Sequence, residues 1–564
     1  MRKSLKQPIK YGVIIILCLY ASACNSLKTP TAPVDYDSSS AVLYEVSLGE
    51  KSLPKDPLTA LSKALVLQSK TAGYAEVSAL YDKAVTESRQ NFTKAVGAGD
   101  WDKALLYFSS LANVGLAPEG WTETSLRENQ AELWQRKGDA VLVASRRNVK
   151  TDNSEIKPSP AVIEKMIRGT VTVWVDRGMS IQKGVAFADR IIGSGFFIDK
   201  RGYFLTNYHV IQSEVDPTYE GYSRVYIKDP KNSALRIPAK VIGWDSILDV
   251  ALLKTELTPE VVFNFGSSED LTIGSRIYAI GSPAGLEKTL TSGIVSAKNR
   301  RLLSLGNVLQ IDAAINHGNS GGPLIDEYGN AQAIVFAGLE QNEGLNFAIP
   351  IELVKTILPD LFAGGEVKHG WFGSFGHTIV SAEHAEVETG VSVDYILPHA
   401  PAYSAGLNEG DIIQKINGLT VKTLEDIQDV IFSIPVKTII KVEGLTKKDG
   451  RYRATAWFVQ LGARPEFPGR EAYKTDVMSR VMLPLTGMKL EKVARNSYRV
   501  INTIKGSPAD ETGFAENDYV ELKGEHLNKD DEILYIQVYA KRRKAGYLEG
   551  FMGLYAYLDD PNYF

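Results

Sequence analysis

The chain has 564 residues, too long for a single hydrophobic core, and length alone points to about three or four domains. With 44% hydrophobic and 23% charged residues it has the composition of a folded globular protein, which excludes large-scale disorder. A formal net charge of -4 excludes a general nucleic-acid binder.

The first residues describe a secretory signal. Arg2, Lys3, Lys6 and Lys10 form a basic stretch without acids, followed by the apolar run "YGVIIILCLY" and then "ASAC". The run is too short for a stable membrane span. "ASAC" resembles a bacterial lipobox, with Ala21 where leucine is usual. The resemblance implies a signal peptide over 1–23, lipidation of Cys24, and a membrane-anchored protein of the bacterial cell envelope facing the periplasm or the exterior. The sequence holds two cysteines, Cys18 and Cys24. One would leave with the signal and the other would carry lipid. No disulfide, cysteine nucleophile or zinc-thiolate site is therefore expected in the mature chain.

Residues 24–56 are rich in Ser, Thr, Pro and Ala and read as a tether. Over 57–150 glycine and proline are sparse and the apolar spacing is helical. In "DWDKALLYFSSLANVG", Asp100 caps, Ala104, Leu105, Phe108 and Leu111 share a face, and Gly115 terminates. This helical domain weakly resembles a tetratricopeptide-type hairpin, without a second clean copy of the period.

Residues 165–362 change to short β runs with glycine turns, such as "GTVTVWV", "GSGFFID" and "RIYAIGS", which predicts an all-β barrel or sandwich. Within them, "INHGNSGGPL" sets Ser320 between glycines, as a turn hydroxyl or as a nucleophile. A nucleophile needs a histidine base and a group that orients the base. "LTNYHVI" places His209 directly after a β-like run, and "WDSILDVALLK" offers Asp245 and Asp249. Asp249 leads straight into an apolar strand, where a partly buried carboxylate needs a partner such as an imidazole. Asp245 lies in the preceding turn and is read as serving it. The order His209, Asp249, Ser320 is that of the chymotrypsin class.

Taken together and in sequence order, "GSGFFID", "TNYHV", "DVALL", "AIGSPAGLEKTLTSGIVS", "IDAAINHGNSGGPL" and "GLNFAIP" resemble the trypsin-like protease domain of the HtrA/DegP family. The resemblance implies a chymotrypsin-like double β-barrel. His209 would be the general base, Asp249 its orienting carboxylate and Ser320 the nucleophile. The oxyanion hole falls on Gly318, Asn319 and Ser320, with the N–H groups of Gly318 and Ser320 as donors. Asn346 and Phe347 would line the specificity pocket. No acid lies in that stretch, so small or medium apolar side chains are preferred over Lys or Arg. His317 departs from the family and is read as lining the cleft rim. Loop 298–309 is the expected regulatory segment. No metal and no cofactor are expected.

"GVSVDYILPHAPAYSAGLNEGDIIQKINGLTVKTLEDIQDVI" resembles a bacterial PDZ domain of the same family. Such domains add a peptide strand and capture its carboxylate on backbone N–H groups. Here "GWFGSFG", with Trp371, Phe372, Gly373 and Ser374, would supply that loop. The pattern recurs at a fixed offset: Pro401, Ala402, Gly406 and Asp411 return as Pro508, Ala509, Gly513 and Asp518, and Asn517 stands for Gly410. That exchange is expected where a turn needs a left-handed backbone. Glu525 replaces Gly418, and peptide binding by the second copy stays open. The predicted order is a helical domain (57–150), a protease domain (165–362), an α+β PDZ domain (368–462) and a degenerate PDZ-like domain (465–564).

The resemblance implies an ATP-independent serine endopeptidase acting on unfolded or mislocalised polypeptides and binding peptide C-termini. By resemblance it is a homo-oligomer, a trimer. A non-proteolytic chaperone or scaffold, or a processing protease with one substrate, are the alternatives.

Overall fold

Strand alternation builds the centre of the chain. In the pairs Phe196-Phe197, Phe204-Leu205 and Leu252-Leu253, neighbours point to opposite faces of the sheet. Phe197, Phe204 and Leu253 enter one core with Val171, Val173, Val225 and Ile227. Phe196, Leu205 and Leu252 enter another, shared with Ile280, Ile325, Ile334 and Phe347 from later strands. A computed structural model describes residues 36, 38–71, 73–136, 160–182, 185–228, 235–282, 289–301, 306–316, 318–338, 345–379, 387–528, 533–542 and 548–564. The expected signal peptide with Cys24, His317, and residues 302–305 of the expected regulatory loop lie outside them.

Six strands form the first barrel: β1 (Thr170–Gln182), β2 (Val185–Phe197), β3 (Tyr203–Thr206), β4 (Arg224–Lys228), β5 (Arg236–Asp245) and β6 (Val250–Thr255). Their order is β5-β4-β1-β2-β3-β6, closed by pairing of β5 with β6. The second barrel is closed in the order β10-β11-β12-β9-β8-β7, from β7 (Arg276–Gly281), β8 (Thr289–Arg301), β9 (Asn307–Ile311), β10 (Pro323–Ile325), β11 (Ala331–Gly338) and β12 (Asn346–Pro350). The helix Ile351–Ala363 places Val354, Ile357, Leu358 and Leu361 in the shared core. This is the double-barrel fold that the sequence predicts.

The helical region differs from the expectation at both ends. A helix already runs over Ser39–Ser52, inside the stretch read as tether, because Val42 and Val46 recur at helical spacing and are buried. Residues up to Ser88 belong to a compact unit with 371–430 and 437–564, and those from Arg89 belong to the unit that holds both barrels. In the first unit, the helix Pro57–Lys70 is capped by Asp56, which accepts the Thr59 N–H at 3.2 Å. Thr59 Oγ1 donates to Gln460 Oε1 at 2.9 Å, on the strand Arg451–Gln460. In the second unit, the helix Trp101–Asn113 follows its sequence pattern. Asp100 accepts the Lys103 N–H, and Ala104, Leu105, Phe108 and Leu111 are buried.

The repeat marks two sheets. The first joins strands 374–378, 391–396, 412–416, 439–448 and 451–460 in that order, with the helix Leu424–Phe432. The second is an antiparallel succession of 488–494, 497–503, 519–528, 533–542 and 548–557. The shared turn is the same object twice. Gly410 (φ 90°) donates its N–H to the Val393 oxygen, and Asn517 (φ 70°) donates to the Val500 oxygen. Buried Asp411 accepts the Asn408 N–H, and buried Asp518 accepts the Ala515 N–H. The copies part after it. Where the first turns at Asn417-Gly418, the second continues as one strand through Glu525. Among the described residues no counterpart of the helix Leu424–Phe432 follows.

Candidate active site

The site forms where β3 ends. Asn207 closes the strand with an extended backbone, and the helix Tyr208–Val215 begins one residue before His209. The His209 N–H is therefore one of the first-turn donors that the helix itself leaves unsatisfied. Asp249 supplies the acceptor: its Oδ1 takes that N–H at 2.8 Å, while its Oδ2 lies 2.7 Å from His209 Nδ1. One carboxylate thus fixes both the main chain and the ring. Asp249 itself sits at φ 55°, a left-handed conformation that an aspartate tolerates, and Asn207 Nδ2 donates to its main-chain oxygen at 2.8 Å.

The imidazole exposes 45% of its side chain at the surface, and Asp249 exposes 14%. Burial of the ring's inner side pulls the His209 pKa down. The Asp249 charge and its hydrogen bond outweigh that pull and hold the pKa above the ordinary histidine value.

The Ser320 loop is bound to the same strand end. The Ser320 oxygen accepts the Ser194 N–H at 2.7 Å, and Thr206 Oγ1 donates to the Ser194 oxygen at 2.7 Å. Ser194 Oγ donates to the Gly318 oxygen at 2.6 Å and accepts the Ser282 N–H at 2.9 Å. Ser194 on β2 is therefore the hub that joins the loop to both barrels, and the sequence reading did not single it out. Its only signal there was the glycine on either side. Gly321 follows at φ 84°, and a Cβ on it would lie 2.2 Å from the Ser194 oxygen and 2.3 Å from Thr206 Oγ1. Only glycine meets both the backbone angle and the close approach. Ser320 Oγ donates to the Phe336 oxygen at 3.3 Å, and Gly318 is at φ 101°.

Three sequence expectations are placed differently. The Asn319 N–H donates to the Asn316 oxygen at 3.0 Å, so it is turned into the loop and leaves any oxyanion role to Gly318 and Ser320. Asn346 and Phe347 cannot both line one pocket, because adjacent strand residues face opposite ways. Phe347 is buried in the shared core, and Asn346 Nδ2 donates to the Ala313 oxygen at 2.8 Å.

Asp245 is fully engaged away from His209. It accepts the N–H groups of Ile247 and Leu248, and His369 Nε2 lies 2.6 Å from its other oxygen. His369 is buried and stacks on Phe432 at 4.0 Å between centroids. Trp371, Phe372, Gly373 and Ser374 lie apart from this site in sequence, at the start of the first PDZ-like sheet.

Residues 193–334 match the trypsin-like peptidase domain, 392–443 a PDZ domain, 469–558 a TP0546 family PDZ domain, and 40–133 a domain of unknown function, DUF8517. A probable periplasmic serine endoprotease DegP-like of Marinomonas sp. is 30% identical over 343 residues, which is 59% of this chain and 70% of that protein. The putative serine protease HhoB of Synechocystis sp. is 36% identical over 255 residues, 42% of this chain, and the match spans only 59% of HhoB. The solved structure of the HtrA-type protease AlgW with decapeptide aligns with a TM-score of 0.46 at 24% identity, covering 54% of this chain and 98% of that one.

Proposed function

Because the chain belongs to the DegP/HtrA family of serine endoproteases with C-terminal PDZ domains, we propose that Ser320, His209 and Asp249 are its catalytic triad and that it cleaves unfolded or mislocalised proteins of the bacterial cell envelope. The observation that carries the reading is the double grip of Asp249 on the His209 ring and main chain.

Ser320 Oγ turns from the Phe336 oxygen and attacks the scissile carbonyl carbon, passing its proton to His209 Nε2. Asp249 keeps the proton on Nδ1 and stabilises the imidazolium. The N–H groups of Gly318 and Ser320 meet the oxyanion. Each such donor is worth about 100- to 1000-fold in rate. Collapse breaks the C–N bond, and the leaving amine takes the proton from His209. Water then attacks the acyl-enzyme by the same relay and frees Ser320.

Lipid on Cys24 would hold the enzyme at a membrane, with the protease facing the periplasm or exterior, as a homo-oligomer and trimer. The first PDZ domain would receive peptide C-termini at Trp371–Ser374. The test is cleavage of unfolded casein by the chain lacking residues 1–24, beside Ser320→Ala. Cleavage by the first alone is expected. Equal behaviour of the two rules out general proteolysis by this site.

A further inference from the structure

The groove of the first PDZ domain is already filled, and the occupant is this chain. Residues 562–564 run antiparallel beside the strand Ser374–Thr378, with Phe375 bridging Tyr563. The Gly376 N–H donates to the Asn562 oxygen at 3.1 Å, and the Phe564 N–H donates to the Ser374 oxygen at 2.9 Å. The N–H groups of Gly373 and Ser374 converge on one acceptor, the main-chain oxygen of Phe564, each at 3.0 Å. From the helix Leu424–Phe432, Gln428 Nε2 donates to the oxygens of Pro561 and Tyr563 at 2.8 and 3.0 Å. Phe564 is 1% exposed, and its ring lies 5.8 Å from that of Phe372. Tyr563, on the opposite face, joins a core shared by the two modules, and its hydroxyl donates to the Pro484 oxygen of the second at 3.3 Å. These are the contacts by which an added peptide strand is held.

We infer that residues 562–564 are an intramolecular ligand of this groove, capping it until a peptide with an aromatic last residue and a free carboxylate displaces them. The inference rests on the reading of residues 368–462 as a peptide-binding module. A tethered ligand competes at an effective concentration on the order of mM. If the tethered segment's own Kd for the groove is about 100 µM, an added peptide is weakened about tenfold. Because alternation sends Tyr563 and Phe564 to opposite sides, displacing Phe564 also loosens a segment seated in the second module.

The test uses the whole chain from Asn25 onward, its Phe564→Ala variant, and a labelled peptide Asp-Asp-Pro-Asn-Tyr-Phe with a free carboxylate. Binding is read by fluorescence anisotropy, and hydrogen exchange is followed at residues 373–376 and 391–396. The expected result is at least tenfold tighter binding by Phe564→Ala. Protection should fall at 373–376 and persist at 391–396, which shows that the domain stays folded. Equal, tight binding by both proteins would overturn the capping while leaving a working peptide groove. A folded, deprotected Phe564→Ala that binds no peptide at mM concentration would overturn the peptide-binding reading, and the capping with it.

Discussion

His209 Nδ1 lies 2.7 Å from Asp249 Oδ2, and the same carboxylate accepts the His209 main-chain N–H at 2.8 Å. The pair therefore sets the ring's tautomer and the start of the helix that carries it. Asp249→Asn keeps the size but gives the imidazole the wrong partner. The expected loss in kcat is about 10,000-fold with the fold retained, checked by steady-state kinetics beside circular dichroism.

The pH dependence follows from the same contact. His209 must be neutral to act as a base, and its pKa is held above 6.5 because Asp249 outweighs burial. The rate of a soluble peptide substrate should therefore climb through an apparent pKa above the ordinary histidine value. In Asp249→Asn the limb of the residual activity should move to lower pH. For stability the sign is the reverse. The pair's contribution is complete below the unfolded histidine pKa and is lost as pH rises through the higher folded value.

Gly321 admits no side chain. With φ at 84° and a Cβ placed 2.2 Å from the Ser194 oxygen, Gly321→Ala must push the Ser320 loop off Ser194. A displacement of that kind should lower kcat/KM by at least about 100-fold. The strain should cost about 2 kcal/mol in stability. Kinetics and thermal melting read the two effects separately.

His369 and Asp245 form a buried pair that makes no hydrogen bond to His209. Removing the ring by His369→Ala leaves a buried carboxylate with main-chain donors only. The expected cost is about 3 kcal/mol, measured by urea unfolding.

Asn517 occupies the left-handed turn that Gly410 occupies in the first copy. Asn517→Gly should be tolerated. Asn517→Val should lose about 1–2 kcal/mol, because a β-branched residue resists that backbone. Differential scanning calorimetry distinguishes the two.

The strands were legible as short β runs between glycine turns, and the double barrel through the family resemblance of motifs such as "GSGFFID" and "DVALL"; that Phe196-Phe197, Phe204-Leu205 and Leu252-Leu253 divide between two cores was not. Asp249 was distinguishable from Asp245 by its position against an apolar strand. The PDZ repeat was legible because Asp411 and Asp518 cap the same turn. Long-range convergence was not legible. Ser194 meets Gly318, Ser282 and Ser320 across more than eighty residues of chain. Nor does any local pattern announce that Phe564 returns to Gly373. Nor did the sequence reading separate Phe347, which faces the shared core, from Asn346, which reaches the Ala313 oxygen, although neighbours on a strand do not share a face. Helical spacing also does not reveal which compact unit each helix joins.

Labelling of the chain from Asn25 onward by a fluorophosphonate, with the modified residue located by mass spectrometry, decides whether Ser320 is the nucleophile. One adduct per chain is expected, on Ser320, absent in Ser320→Ala and strongly slowed in His209→Ala. An unlabelled Ser320 in the folded protein, or an adduct on another serine, would contradict it.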